Sequence, residues 1–536
     1  MQRHDVIVIG GGLNGLTAAA CLARAGADVL LLERNAGFGV AAGYDVAPGF
    51  RMPRYSLGTS TLPARLVADL ELTRHGLRLL RVDGGVSLLA GGAYQASYRD
   101  GIVHRRELAR VSPKDADAWT RYRRDMLAAA ARLRPLLSRR MSDPSKRSIA
   151  NIRRLLGAAD AFASIGATEL HELTRLWTLS AADFLSDYFV SEEVKSHLAA
   201  AVLSGATFGP FAPGSARLLL QPFMEETGAA SAGAPAAVLA LGGPEAVAAA
   251  FVAAIVAHGG TVRTEAEVTD IILRRDEARG VSLANGEEIY ARAILSDLDL
   301  KRTFLTLFPW KELPSGLVKR VGRFRLRGVT AKINIALDAA PLFPDVPEGC
   351  PALLGVTRLA GSLDEMDRAL DDWRDRMPPR APLIEALVPS LVDRSLAPEG
   401  KHVMSVCVHG VPEILHDGPW TGARRDELAE LAVKRIAERS PGFRDRILAL
   451  DTLVPPDIEA EVGLTSGDFA QGEETLDQMF FNRPFASLSG HETPIRNFYL
   501  CSASGHPGSL APGGAGADAA KLVAEALGKR GIYVPA

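Results

Sequence analysis

The first forty residues leave few folds open to this chain. Residues 5–9 (DVIVI) form a short apolar run, rich in β-branched side chains, of the kind buried as a parallel strand. The run passes directly into Gly10-Gly11-Gly12-Leu13-Asn14-Gly15, a GxGxxG, and then into LTAAACLARAG, a helical pattern stopped by Gly26. A second apolar run over residues 28–32 closes on Glu33, at the spacing of roughly 20 residues expected of a ribose-binding acid. In such a unit Gly10 permits the tight turn, Gly12 lets backbone approach a pyrophosphate, and Gly15 lets helix and strand pack closely. The helix N-terminus offers unpaired N–H groups and partial positive charge to phosphates. A GxGxxG alone is a weak signal. Strand, glycine turn, helix, strand and acid in this order predict a dinucleotide site, with FAD, NAD and NADP all open.

At 536 residues, two connected domains are the natural expectation. A net charge of −2 gives no reason to expect nucleic acid as a partner. The cysteines Cys21, Cys350, Cys407 and Cys501 contain no CxxC pair, which argues against a redox dithiol and a cysteine zinc site; no metal site is expected. No stretch carries the roughly 18 apolar residues of a membrane span, and the expected location is cytoplasmic. Arg139, Arg140, Lys146, Arg147, Arg153 and Arg154 read as a solvated basic face, with weak peripheral membrane contact as the alternative. Self-association into a homo-oligomer is left open.

Past Glu33 comes a glycine-rich loop, then a helix over 62–75 and β-structure over 77–105 with turns at Gly84-Gly85, Gly91-Gly92 and Asp100-Gly101. Helices follow from Ser112, a cap with Pro113 behind it, to about residue 208. Residues 239–305 return to α/β alternation, with Asn285-Gly286 as a hairpin turn. GVTAKINIALD and KHVMSVCVHGV read as strands of a second β-rich region. NFYLCSASGHPGSLAPGGAGADAAKLVAEALGKRG reads as strand, glycine-rich loop and helix, a second helix N-terminus directed at a ligand.

The chain resembles the phytoene-desaturase-like FAD oxidoreductases (carotenoid desaturases and isomerases, retinol saturase), and within them the pyridine nucleotide-disulfide oxidoreductase domain-containing subgroup. The segments that carry the likeness are DVIVIGGGLNGLTAAACLARAGADVLLLER, PGFRMPRYSLG, DLELTRHGL, SAADFL, GPFAPGSA, LGGPEAV, GEETLDQMFFNRP and FYLCSASGHPGS. The resemblance implies an α/β fold in which a bipartite Rossmann-type FAD-binding domain carries an inserted α+β substrate domain, as in flavin amine oxidases. Residues 1–75, 236–305 and 456–536 would form the FAD domain; 76–235 and 306–455 would form the substrate domain with a helical cap. It also implies that Gly10, Gly12, Leu13, Asn14, Gly15, Glu33 and Arg34 hold the ADP half of FAD, and that Val268 touches adenine. Gly39 and Val40 would lie along the phosphate–ribityl path, and Ser502, Ala503, Gly513, Gly514 and Ala515 along the pyrimidine end.

Two positions depart from the family pattern. Val40 stands where the second glycine of a Gly-Gly pair is usual, so its Cβ either crowds the cofactor or sits in an altered loop. Gln471 stands where the subgroup tends to carry a histidine, which puts an acid–base role there in doubt.

Candidates for chemistry are Arg54 and Tyr55, on the loop expected beneath the flavin, and His506 in SGHPGS. Arg54 either meets a substrate carboxylate or carbonyl or forms an internal salt bridge. Asp477, Phe480, Phe481 and Arg483 are candidates for the same region. No second GxGxxG follows, so electrons would leave through oxygen, a quinone or a carrier protein. The leading expectation is dehydrogenation (desaturation) of a C–C bond in a small apolar or alicyclic substrate. The alternatives are a flavin amine oxidase, a redox-neutral isomerase using reduced FAD, and an FAD-stabilised non-catalytic interaction protein.

Overall fold

The computed structural model describes residues 3–59, 62–82, 84–137, 166–203, 205–224 and 238–529. The opening run becomes the strand Arg3–Ile9, which pairs in parallel with Val29–Leu32 on one side and Glu288–Ser296 on the other. Thr261–Arg263 extends the sheet beyond Val29–Leu32, and Phe498–Leu500 adds in parallel to Glu288–Ser296. The predicted hairpin appears as Ala278–Leu283 antiparallel to Glu288–Ser296, and Val268–Leu273 completes the edge. Val6, Ile7 and Val8 are fully buried, each contributing roughly 1.5–3 kcal/mol. One face of this sheet packs the helices Leu13–Arg24, Pro244–Ala257 and Gly514–Ala526; the other packs Leu300–Thr306 and Ser315–Arg323. Strands from both ends of the chain and from its middle therefore build one nucleotide-type sheet.

A second seven-stranded sheet runs Ile447–Leu453, Thr330–Leu337, His402–His409, Ile384–Leu387, Val356–Gly361, Gly85–Leu89, Tyr94–Ser97. All its pairings are antiparallel except Val356–Gly361 with Gly85–Leu89. Against it lies a helical layer with its own core, including Gly101–Val111, Pro113–Leu137, Ala167–Thr178, Ala181–Ser186 and Glu192–Leu203. His197 fastens the layer to the sheet, its ring nitrogens meeting Ser87 Oγ at 2.7 Å and Ser97 Oγ at 2.5 Å. Burial pushes its pKa down to about 3, so this histidine is a neutral structural bridge.

Two local expectations are corrected. GIVHRR does not continue the β-structure: Asp100 caps a helix instead, its carboxylate accepting from Ile102 N–H and Val103 N–H. The Asp-Gly pair read as a hairpin turn is a cap followed by the first helical residue. The helix expected over 62–75 is confined to Ala64–Asp69, and Glu71 beyond it has positive φ. The basic cluster at 139–154 lies outside the described residues.

Candidate active site

The glycine turn is built as its spacing requires. A Cβ on Gly15 would run into the Gly10 carbonyl, and one on Gly12 would come within 2.5 Å of Asp297 Oδ2. Glu33 is buried, accepting from Gly11 N–H at 2.8 Å and Asn35 N–H at 2.9 Å. Burial raises its pKa, and the backbone donors oppose that shift. Val268 begins the strand beside this turn and is buried in the same cluster as Ile9 and Leu32.

The C-terminal unit comes to the same place. Helix Gly514–Ala526 starts from Gly513 with φ +78° and packs so closely on helix Leu13–Arg24 that a Cβ on Gly516 would overlap the Asn14 carbonyl. Gly516 N–H donates to Asn14 Oδ1 at 3.2 Å. Two helix N-termini are thus held side by side, a strong electrostatic frame for an anionic dinucleotide. Ser502 Oγ is buried with no hydrogen-bond partner among the described residues, a free polar atom in the loop leading to the second helix. A cofactor with phosphates at one end and a polar ring at the other fits this frame.

Gly39 lies over the turn, where a Cβ would stand 3.2 Å from Gly12 Cα. Val40 packs with the apolar cluster of Tyr55, Leu453, Ile458 and Leu464. Arg34 Nη2 donates to the Ala460 and Glu461 carbonyls. Arg54 forks onto the Glu461 carboxylate at 2.6 and 2.7 Å and reaches Asp451 at 3.2 Å, while Tyr55 OH donates to Glu461 at 2.8 Å. The Arg54 hydrogen bonds hold Glu461 below the usual carboxylate range. Arg54 and Tyr55 thereby tie the loop to the end of helix Pro455–Val462.

His506, 1% exposed, faces a different neighbourhood. It lines a small cavity with Glu474, Phe480 and Arg483. A larger cavity of about 230 Å³ shares Glu474 and is walled by Val202, Phe208, Leu218, Val329 and Phe469, with Ser509 at its edge. Arg483 is buried and spends its guanidinium on the carbonyls of Ala470, Gly472, Glu473, Gln478 and Ala503. Asp477 pairs with Arg325 at the surface, and Phe481 is largely exposed. Gln471 Oε1 is buried without a partner among the described residues.

Four side chains were not singled out by sequence. Asp297 follows strand Glu288–Ser296 and is fully enclosed against Gly12 and Gly15; burial holds its pKa well above the carboxylate range. Asp468 accepts backbone N–H groups of Arg327, Ala470 and Gly472, and burial raises its pKa to about 7. Glu474 accepts from Ser509 Oγ, and burial raises its pKa too. Arg217 stands in the apolar run Ser215–Leu220. The available signal was a charge inside an apolar stretch, and for Glu474 a carboxylate doublet whose first member, Glu473, is taken by Arg325 and Arg327.

Residues 5–185 match the family model described as FAD dependent oxidoreductase. Among solved structures, putrescine oxidase bound to putrescine superposes with a TM-score of 0.60 at 13% identity, over 98% of this chain and 99% of that one. The likeness identifies the fold as that of the flavin amine oxidases. A limonene dehydrogenase polypeptide of Castellaniella defragrans is 24% identical over 98% of this chain and 96% of its own length. The pyridine nucleotide-disulfide oxidoreductase domain-containing protein 2 of Rattus norvegicus is 32% identical over 97% of this chain and 93% of its own. The cradle and these matches together make FAD the cofactor, and the chain belongs to the pyridine nucleotide-disulfide oxidoreductase domain-containing protein 2 family as an FAD-dependent oxidoreductase.

Proposed function

We propose that the protein dehydrogenates a C–C bond of a small, mainly apolar or alicyclic substrate. One observation carries this reading. Ser509, five positions before the helix start at Gly514, also stands in the wall of the 230 Å³ cavity, so a largely apolar chamber adjoins the pyrimidine-end loop of the cradle. Gly10, Gly12, Gly15, Glu33 and Val268 hold the adenosine and pyrophosphate end of FAD; Ser502, Ala503 and the Gly513–Ala515 turn hold the far end. Bound there, FAD supplies the acceptor for a hydride leaving carbon.

The chain's own part is to align the substrate, exclude water and take the proton from the adjacent carbon. Val202, Phe208, Leu218 and Val329 supply the apolar walls. His506, beside Phe480 in the small cavity that shares Glu474 with the larger one, is the group we assign to proton transfer. Arg54 and Tyr55, engaged with Glu461, are assigned to anchoring the loop.

The test is anaerobic mixing of the FAD-loaded protein with saturated alicyclic substrates and matched amines. Bleaching of the flavin band by the saturated compounds supports the proposal. Bleaching by amines alone would make the protein an amine oxidase. Turnover of isomers only after prior reduction would make it an isomerase, and redox silence across the panel would favour a non-catalytic role.

A further inference from the structure

A second, smaller cavity adjoins the larger one and shares Leu218, Gln221 and Glu474 with it. Its remaining wall includes Leu133, Trp177, Leu220, Met224 and Met479, an apolar surface broken by the guanidinium of Arg217. That side chain is 6% exposed. Nη1 donates to the Gly214 carbonyl at 2.6 Å, Nε points at Met479 Sδ at 3.4 Å, and the group lies 4.9 Å from the Phe208 ring centre. Nη2 has no partner among the described residues. A guanidinium keeps its charge in proteins, so this is a buried cation with a free donor on a cavity wall.

Its neighbour explains what the donor is for. Glu474 lines both cavities and its charge acts on Arg217, but no close salt bridge joins the two among the described residues; its carboxylate accepts from Ser509 Oγ. The buried cation on the adjoining His506 cavity, Arg483, is already satisfied by main-chain carbonyls. Arg217 therefore presents a free donor on the mainly apolar wall of a cavity that shares Leu218, Gln221 and Glu474 with the larger one. Burial raises the Glu474 pKa, and its carboxyl lines both cavities.

We propose that Arg217 is the anion subsite of the substrate chamber, and that the substrate is an apolar or alicyclic compound bearing a carboxylate. Arg217 takes the carboxylate through a charge-assisted hydrogen bond, and the hydrocarbon body extends past Glu474 into the larger cavity. The inference rests on that cavity being the substrate site, but it is tested by binding to oxidised protein, without turnover. Failure of the bleaching experiment and failure of this one are therefore separate events.

The experiment titrates the FAD-loaded full-length protein with cyclohexylacetate, its primary amide and cyclohexylethylamine, reading the flavin absorbance change and the heat of binding. The carboxylate should bind about tenfold tighter than the amide, which is about 1.4 kcal/mol. Arg217→Gln should erase that preference, Arg217→Lys should keep part of it, and Glu474→Gln, which leaves the Arg217 guanidinium in place, should not weaken carboxylate binding by more than about threefold. Flavin content and melting temperature report whether each variant is folded. Should Arg217→Gln not fold, the wild-type ranking still decides: equal binding of carboxylate and amide, or tighter binding of the amine, overturns the proposal. A folded Arg217→Gln that retains the carboxylate preference overturns it as well.

Discussion

The cradle and the chamber are made of different materials. The cradle is backbone: two helix N-termini, a glycine turn and close approaches at Gly15 and Gly516, where a Cβ would run into main-chain carbonyls. The chamber is side chain: Arg217 comes from the helical region to meet Asp468, Glu474 and His506 of the C-terminal stretch, inside largely apolar walls. A backbone site has little room to vary, because each hydrogen-bond donor is fixed by the fold that makes it. A side-chain site can change its chemistry by one residue while the fold stands. The cradle should therefore fail by steric insult and the chamber by loss or gain of charge.

The sharpest test of the first half is Gly516→Val. The added atoms meet the Asn14 carbonyl rather than a movable side chain, so helix Gly514–Ala526 must retreat from helix Leu13–Arg24. Overpacking of this kind costs roughly 1–3 kcal/mol or more, and it also separates the two N-termini. Purified protein should carry less than about a tenth of the wild-type flavin per chain, read from the visible absorbance. Full flavin loading would show that the cradle tolerates rearrangement and would break the comparison.

For the chamber, Asp468→Asn tests charge instead of shape. The wild-type carboxyl has its pKa raised by burial from 3.8 to about 7. The folded state therefore holds a proton that the unfolded chain releases. The stability tied to that proton is complete below about pH 4 and is lost as pH rises through about 7. Asparagine does not titrate, so the variant should gain on wild type by about 2–3 kcal/mol between pH 5 and pH 8, followed as the difference in melting temperature. Parallel curves for the two proteins would mean that Asp468 is ionised throughout.

How much could be read beforehand follows the same division. The cradle is local: strand, GxGxxG, helix and Glu33 lie within thirty-odd residues, and Gly513–Ala515 carries its own glycine signature, so both halves were legible. The hairpin at Asn285-Gly286 was legible for the same reason. Asp100-Gly101 was misread because an Asp-Gly pair serves equally as a turn and as a helix cap, and only the residues that follow decide. The chamber was not legible, because no spacing relates Arg217 to Glu474; they line one cavity only in the folded chain. Arg54 and Tyr55 looked chemical by type, yet Glu461, some four hundred residues away, engages both.

One residue in the cradle breaks the rule that backbone makes the site, and it gives a smaller effect to measure. Asp297 presents a carboxyl to Gly12 and Gly15, where phosphates are expected. Burial raises its pKa, with the charge of Glu33 adding to the shift and the Gly12 and Gly15 N–H groups opposing it. Ionisation as pH rises puts a second negative charge against the phosphates, so FAD affinity should fall with increasing pH. Asp297→Asn should remove that slope and bind about tenfold tighter at the alkaline end, about 1.4 kcal/mol. Titration of apoprotein with FAD, followed by flavin fluorescence at a series of pH values over which the protein stays folded, reads both quantities. A slope that survives in the variant would assign the titration to another group.

The smallest effect belongs to Val40, the position where the family pattern has glycine. A Cβ there has two available consequences: it crowds the cofactor path, or it packs away from it. Val40 joins the cluster of Tyr55, Leu453, Ile458 and Leu464, while Gly39 beside it makes the close approach to Gly12. The valine is therefore part of the loop's anchoring, alongside the Arg54–Glu461 fork. Val40→Gly removes a half-buried side chain and loosens the chain, costing about 1 kcal/mol of stability. FAD affinity should stay within about twofold, because the atoms removed face Tyr55 and Ile458. A variant that binds FAD several-fold tighter with unchanged stability would place Val40 against the cofactor and make this stretch of the cradle a side-chain site after all.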